Sequence, residues 1–209
     1  MYRALLINAL ISIFKYKNYL EIGVGRGDNF KDIEIENKEC CDPNDDDADG
    51  NYSDITYEMT SDKMFESINE DKTWDIIFID GYHEGNQVMR DLFNSMKHLS
   101  SNGIILIHDS LPDNENDASY PRNTDKTWNG TVYKIYPRLK DLQAFFFIIN
   151  EDSGIGVIPK QEFPDEIPEA STLEYNEIFN GVKVFDELNI INNNSIETIL
   201  LLLVNLKIS

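Results

Sequence analysis

Asn18-Tyr19-Leu20-Glu21-Ile22-Gly23-Val24-Gly25-Arg26-Gly27-Asp28-Asn29 begins as a short apolar run and breaks into three glycines at alternate positions. The run suits a strand buried in a parallel sheet. The glycines suit a tight turn whose backbone a ligand can approach closely. A strand, a glycine-rich turn and a following helix make a cradle for a nucleotide-like ligand. The spacing is Glu-x-Gly-x-Gly-x-Gly. A dinucleotide fingerprint needs Gly-x-Gly-x-x-Gly, and Asp28 stands at its third glycine position.

Outward from that stretch the chain reads as alternating strands and helices. Residues 28–33 can start a short helix, and residues 38–42 form a second strand ending on Asp42. Asp42 lies near the ~20-residue offset at which a carboxylate meets the ribose in nucleotide-binding units. Residues 56–60 predict a third strand, followed by a helix over 62–69 with Ser61 as its cap. Residues 74–80 are a continuous apolar run closing on Asp80, the pattern of a strand buried on both faces. Val88, Met89, Leu92, Phe93, Met96 and Leu99 recur at helical spacing over 84–99. Residues 100–103 make a turn, and 104–109 form the next buried strand, closing on Asp109. Strand, helix and strand in that order imply a parallel pair with a right-handed crossover.

Residues 112–126 are polar and read as a loop over the C-terminal edge of the sheet, followed by a helix over 128–139. Residues 144–149 and 154–159 are close enough to pair as a hairpin around 150–153. The expectation is an α/β fold: a Rossmann-like three-layer αβα sandwich with a mostly parallel seven-stranded sheet and a terminal antiparallel hairpin. Residues 1–160 would form that domain, with an N-terminal helix over 2–17. Residues 161–209 would be a helical appendage packed on it, with helices near 173–179 and 195–206.

The chain has 209 residues, 41% of them hydrophobic and 27% charged, as in a globular protein with one substantial core. Its net charge is −20, and the 18 Lys and Arg are scattered, so a nucleic-acid backbone is not an expected partner. Cys40 and Cys41 are adjacent and offer neither a disulfide framework nor a metal-binding pair, which fits a cytoplasmic setting. Arg3 and the apolar residues 4–14 imitate a secretion signal, but no small-residue cleavage site follows and the run is too short to span a bilayer. The expected partners are a small-molecule or glycan substrate; the composition is also compatible with a homo-oligomer.

By Asp109 several segments stand together: Glu-Ile-Gly-Val-Gly-Arg-Gly (21–27), Cys-Asp-Pro-Asn (41–44), Thr-Ser-Asp-Lys-Met-Phe (60–65), Phe-Ile-Asp-Gly-Tyr-His-Glu (78–84) and Ile-His-Asp-Ser-Leu-Pro (107–112). In that order and spacing the chain resembles the class I S-adenosylmethionine-dependent methyltransferases, in particular the small bacterial O-methyltransferases of surface-glycan and secondary-metabolite synthesis. Trp128-Asn129-Gly130-Thr131-Val132-Tyr133-Lys134 and Gly154-Ile155-Gly156-Val157-Ile158 are similar to that group as well. The resemblance covers roughly residues 18–160. It implies that Glu21, Gly23, Gly25 and Gly27 hold the methionine part of S-adenosylmethionine. It further implies that Asp42 takes the ribose hydroxyls and that Ser61 and Asp62 lie near the adenine.

Methyl transfer to a hydroxyl needs the acceptor held in line and made nucleophilic, by a base, a cation or both. Asp80 and Asp109 end successive parallel strands, so both carboxylates reach the crevice at the strands' C-terminal ends. Two hard oxygen donors suit Mg2+ or another divalent cation. Asp80 can alternatively contact the sulfonium end of the cofactor. His83, three residues after Asp80, stands where the catechol-type relatives carry a lysine base; base, metal ligand and substrate contact stay open for it. His108, by strand alternation, is expected to point away from Asp109 into the helix layer. Asp45-x-Asp47-x-Asp49-Gly50 copies the first half of a calcium loop, but the twelfth position is Thr56 rather than Glu, and a solvated acidic loop is the default. Two rival readings remain: a calcium-dependent acidic binding module on a methyltransferase scaffold, and an NAD-dependent oxidoreductase.

Overall fold

Strand residues alternate between two apolar faces, and each face carries its own core. The computed structural model describes residues 2–44, 52–123, 127–179 and 190–191. The strands are β1 (Asn18–Ile22), β2 (Asn37–Cys41), β3 (Trp74–Ile79), β4 (Leu99–Ile107), β5 (Phe147–Ile149), β6 (Ile155–Pro159) and β7 (Ile190–Ile191). The helices are α1 (Tyr2–Phe14), α2 (Asp28–Asp32), α3 (Ser61–Ser67), α4 (Gly85–Lys97), α5 (Ile135–Asp141) and α6 (Tyr175–Phe179). The sheet order is β2-β1-β3-β4-β6-β5-β7. β6 runs antiparallel to both β4 and β5, and every other pair is parallel. The layered architecture, the mostly parallel sheet of seven strands and the antiparallel hairpin are as expected.

One core gathers Tyr19, Ile76, Phe78, Ile104 and Leu106 under α1 and α2; the other gathers Leu20, Ile77, Ile79, Ile105 and Ile107 under α3, α4 and α5. Because β1, β3 and β4 are covered on both sides, their sequences are unbroken apolar runs rather than alternating ones. Glu84 precedes α4, and its carboxylate caps the helix by accepting from the backbone N–H groups of Asn86 and Gln87.

Several local expectations are corrected. Residues 56–60 form no strand: Tyr57 makes a single parallel bridge to Cys41, and the seventh strand is β7, paired with β5 at the opposite edge. The ladder beside β2 stops there because Met59 bonds back to Tyr57 and α3 starts at Ser61. Thr60, not Ser61, caps α3, accepting from Lys63 N–H. Residues 100–103 lie within β4, where a register shift against Trp74 and Ile76 absorbs the extra residues. The helix expected over 128–139 starts late, as a 3-10 turn over Val132–Lys134 leading into α5. The left-handed Gly130 delays it. The N-terminal helix ends at Phe14, before the left-handed Lys15. The helix near 195–206 and the Asp45–Asp49 loop lie outside the described residues. No described helix is long and apolar enough to cross a membrane.

Candidate active site

β1, β3 and β4 end side by side, and the turns leaving them carry the candidate site residues. The first turn is the glycine run, in which Gly23, Gly25 and Gly27 have φ of 85, 51 and 74°. A Cβ on Gly23 would fall 2.2 Å from the Asp80 carbonyl oxygen, and one on Gly27 would strike the Tyr52 ring at 2.5 Å. At Gly25 nothing lies within 4 Å of that position, so this glycine borders open space. Asp42, at the end of β2, fastens the loop: one carboxylate oxygen accepts from the N–H groups of Val24 (2.8 Å) and Gly25 (3.1 Å), the other from Asn44 N–H (2.8 Å).

Glu21 sits below this loop, 2% exposed, accepting from Tyr19 Oη at 2.5 Å and Asn29 Nδ2 at 2.9 Å. Burial pushes its carboxyl up to about 8 against the opposing help of those two donors. Asn29 Oδ1 is buried without a partner. A carboxyl and an orphaned amide oxygen beside a glycine loop fit a ligand that carries an ammonium group, as the methionine end of S-adenosylmethionine does. Ser61 and Asp62 stand at the start of α3, both accepting from Gln87 Nε2 at 3.2 Å, and Asp62 also pairs with Arg90 at 3.3 Å. Asp91, buried among them and accepting from Gln87 Nε2 at 3.0 Å, is pushed up by that burial to about 6.

The turns after β3 and β4 bring Asp80, His83 and Asp109 together, with one donor atom from each within 4.8 Å of the others. His83 has φ of 55°, and this left-handed residue folds its ring back over the end of β3. His83 Nε2 lies 3.4 Å from Asp80 Oδ1 and 3.3 Å from Asp109 Oδ2. Residues 128–131 lock this arrangement one side chain at a time. Trp128 stacks on the His83 ring at 4.9 Å, and Asn129 Nδ2 donates to Asp109 Oδ1 at 3.0 Å. Gly130 must be glycine, because a Cβ would sit 2.1 Å from the His83 carbonyl oxygen. Thr131 N–H donates to that oxygen at 2.8 Å, and its hydroxyl accepts from Gly85 N–H.

His108 departs from expectation. It does face the α1 layer, but its Nδ1 lies 3.1 Å from both Asp80 Oδ1 and Asp109 Oδ2. β4 ends at Ile107, and the left-handed Asp109 (φ 58°) turns its carboxylate back onto the preceding residue, where strand alternation no longer applies. Arg3 of α1 completes the cluster, with Nη1 2.8 Å from Asp80 Oδ2 and Nε 3.2 Å from Asp152 Oδ2. Burial opposes the charge on Asp80, yet the His108 and His83 rings hold its carboxyl well below the usual range. Burial likewise opposes protonation of His108, and Asp80, Asp109 and Asp152 outweigh it, pushing the ring up to about 12. Arg3, His108, Asn129 and Asp152 join the site only through the fold, not through any sequence pattern. Arg3 carries the one faint signal, a cation in an otherwise apolar stretch that must find a partner once the helix packs.

Residues 39–110 match a family described as a methyltransferase domain. No curated protein matches the chain in sequence. Among solved structures the chain is similar to the O-methyltransferase from Bacillus cereus in complex with S-adenosylhomocysteine (SAH), at 12% identity and a TM-score of 0.53, covering 76% of this chain and 81% of that one. It is similar to an SAH-bound methyltransferase from Podospora anserina at 17% identity and a TM-score of 0.53, covering 77% and 78%. It is also similar to an O-methyltransferase from Streptomyces achromogenes in complex with S-adenosylmethionine, at 10% identity and a TM-score of 0.50, covering 74% and 78%. The fold is that of the class I methyltransferases.

Proposed function

We propose that this chain transfers the methyl group of S-adenosylmethionine to a hydroxyl oxygen of a sugar or sugar-bearing small molecule. The observation that carries the reading is the placing of two groups after neighbouring parallel strands: a glycine loop with Glu21 and Asn29 after β1, and the Asp80–His83–Asp109 cluster after β3 and β4. The matched methyltransferase domain and the SAH- and S-adenosylmethionine-bound structural neighbours support the same cofactor.

In this reading Glu21 and Asn29 receive the ammonium group, Gly25 leaves room for the ligand beside the loop, and Asp42 keeps the loop in place while facing the ribose. Ser61 and Asp62 border the adenine. When bound, the cofactor supplies a sulfonium methyl whose S–C bond breaks as the new C–O bond forms. The hydroxyl proton has to leave, and His83 Nε2 and Asp109 Oδ2 stand at that end to take it, whereas Asp80, its carboxyl held well below the usual range, is a weaker base. Asp80, His83 and Asp109 are also the residues that would hold a divalent cation, which would offset charge on the acceptor oxygen.

For the acceptor, support comes from the exposed aromatic rings beside the stacked His83 and Trp128. Tyr82 and Tyr120 are 64% and 40% exposed, joined by a 2.7 Å hydroxyl contact, and Tyr120 stacks on Trp128. An amphipathic aromatic surface of this kind suits the C–H face and hydroxyl rim of a sugar ring. Calorimetry with SAH tests the reading: one-to-one binding in the micromolar range is expected, and no binding refutes it. Asp109→Ala should abolish methyl transfer while leaving SAH affinity nearly unchanged. An equal loss of SAH binding would overturn the division between the two groups.

A further inference from the structure

Glu21 lies buried on the face of β1 that packs under α1 and α2, opposite Cys40 of β2 and Phe78 of β3. Both of its donors are neutral, and both serve one oxygen: Tyr19 Oη and Asn29 Nδ2 bond Oε2 at 2.5 and 2.9 Å. A carboxyl used in this way keeps Oε2 as its carbonyl acceptor and carries a proton on Oε1. The guanidinium of Arg3, which would favour its ionised form, is committed to Asp80 at 2.8 Å and Asp152 at 3.2 Å. A buried carboxylate is costly unless a cation pairs with it, and burial accordingly pushes this carboxyl up to about 8. The other titratable groups around it supply no cation. Burial raises Tyr19, Cys40 and Tyr52 above their ordinary ranges, which keeps them neutral, and ionised Asp80 opposes a second negative charge. Beside Glu21, the Asn29 amide nitrogen is used by Tyr19 and Glu21, while its Oδ1 is buried with no partner. A group with a positive charge and several N–H donors would meet both needs at once.

We propose that Glu21 is protonated in the cofactor-free protein and gives up that proton when the ammonium group of S-adenosylmethionine binds beside it, so that cofactor binding is coupled to proton release. The Oε1–H bond breaks, the proton passes to solvent, and the carboxylate pairs with the ammonium, whose N–H groups also serve Asn29 Oδ1. The inference deepens the methyltransferase reading and rests on it for the identity of the ligand. Its consequence is a cofactor affinity that depends on pH. The free site must lose its proton to bind, so affinity rises by up to about tenfold from pH 6 to pH 7 and levels off above about pH 8.

The test is calorimetry of the full chain with SAH near pH 7 in buffers of different ionisation enthalpy, which counts the protons released. Wild type should release about 0.9 proton per SAH bound. The nucleoside 5′-methylthioadenosine keeps the adenosine but lacks the amino-acid end, and it should release fewer than about 0.2. Glu21→Gln keeps the side-chain shape. It should bring the SAH value down to the same level and flatten the affinity change between pH 6 and pH 8 to less than about threefold. SAH binding to wild type without proton release, or with the same release as 5′-methylthioadenosine or as Glu21→Gln, overturns the proposal and leaves the methyltransferase reading standing. Absence of SAH binding from pH 6 to pH 8 refutes that reading, and the proposal with it.

Discussion

Replacing Glu21 by Gln isolates the cost of keeping a carboxylate under the glycine loop. Glu21 is 2% exposed and has Tyr19 and Asn29 as donors, and burial still pushes its carboxyl from 4.5 up to about 8. The folded-state pKa lies above the unfolded one, so the contribution is fully present below about pH 4.5 and is lost as pH rises through about 8. At 1.36 kcal/mol per pH unit, the shift corresponds to an upper limit of roughly 5 kcal/mol. The large negative charge of the chain adds its own pH dependence, but wild type and Glu21→Gln share that background and it cancels in their difference. Urea unfolding of both proteins from about pH 4.5 to about pH 9 is the assay. Wild type should lose on the order of 3–5 kcal/mol more than the variant across that range, so Glu21→Gln should be the more stable protein at alkaline pH. Parallel curves for the two proteins would mean that Glu21 ionises without penalty, and that its polar partners rather than its burial set its charge.

The glycine run should divide by position. Gly23→Ala, with its Cβ 2.2 Å from a carbonyl oxygen, should lower stability by more than about 3 kcal/mol in urea unfolding. Gly25→Ala meets no atom within 4 Å and should cost only the left-handed backbone term of about 1–2 kcal/mol, yet weaken SAH in calorimetry. Asn129→Ala removes the donor to Asp109 and to the Ser153 carbonyl. It should cost about 1–3 kcal/mol in stability and reduce methyl transfer more than that loss of folded protein explains, as measured by turnover on the folded fraction.

Much of the frame was readable from local pattern. The apolar runs before Gly23, Asp80 and Asp109 are strands, because a strand covered on both faces has no polar side to display. Five of the six apolar positions expected over 84–99 fall on one stripe of α4 for the same kind of reason, while Leu99 opens β4 instead, because the helix ends at Lys97. Where local pattern misled, tertiary contacts decided otherwise. Residues 56–60 have strand composition, but they pair with β2 through a single bridge and turn into α3. The seventh strand is instead Ile190–Ile191, paired with β5 at the other edge of the sheet. Ser61 and Thr60 are equally good caps by type, and only the backbone path selected Thr60. The segment Trp128-Asn129-Gly130-Thr131 could be matched to a family but not understood, because each of its roles is defined by His83, Asp109 or Gly85 rather than by its own neighbours.

By itself the sequence determined the layered α/β frame, the glycine turn and the carboxylates at the strand ends, since each of these is set by side-chain period or by backbone conformations that only particular residues adopt readily. The company those carboxylates keep was decided by the tertiary structure alone. Arg3 reaches Asp80 from the first helix, Asp152 reaches Arg3 from the hairpin turn, and the left-handed backbone at Asp109 brings His108 to both aspartates. Most of these partners are far apart in the chain, and even the adjacent pair is brought into contact by a backbone turn, so no sequence period encodes them. They meet because Arg3 of α1 and the turn of the β5–β6 hairpin both reach the C-terminal ends of β3 and β4, and that meeting gives the candidate site its charge and its donor atoms.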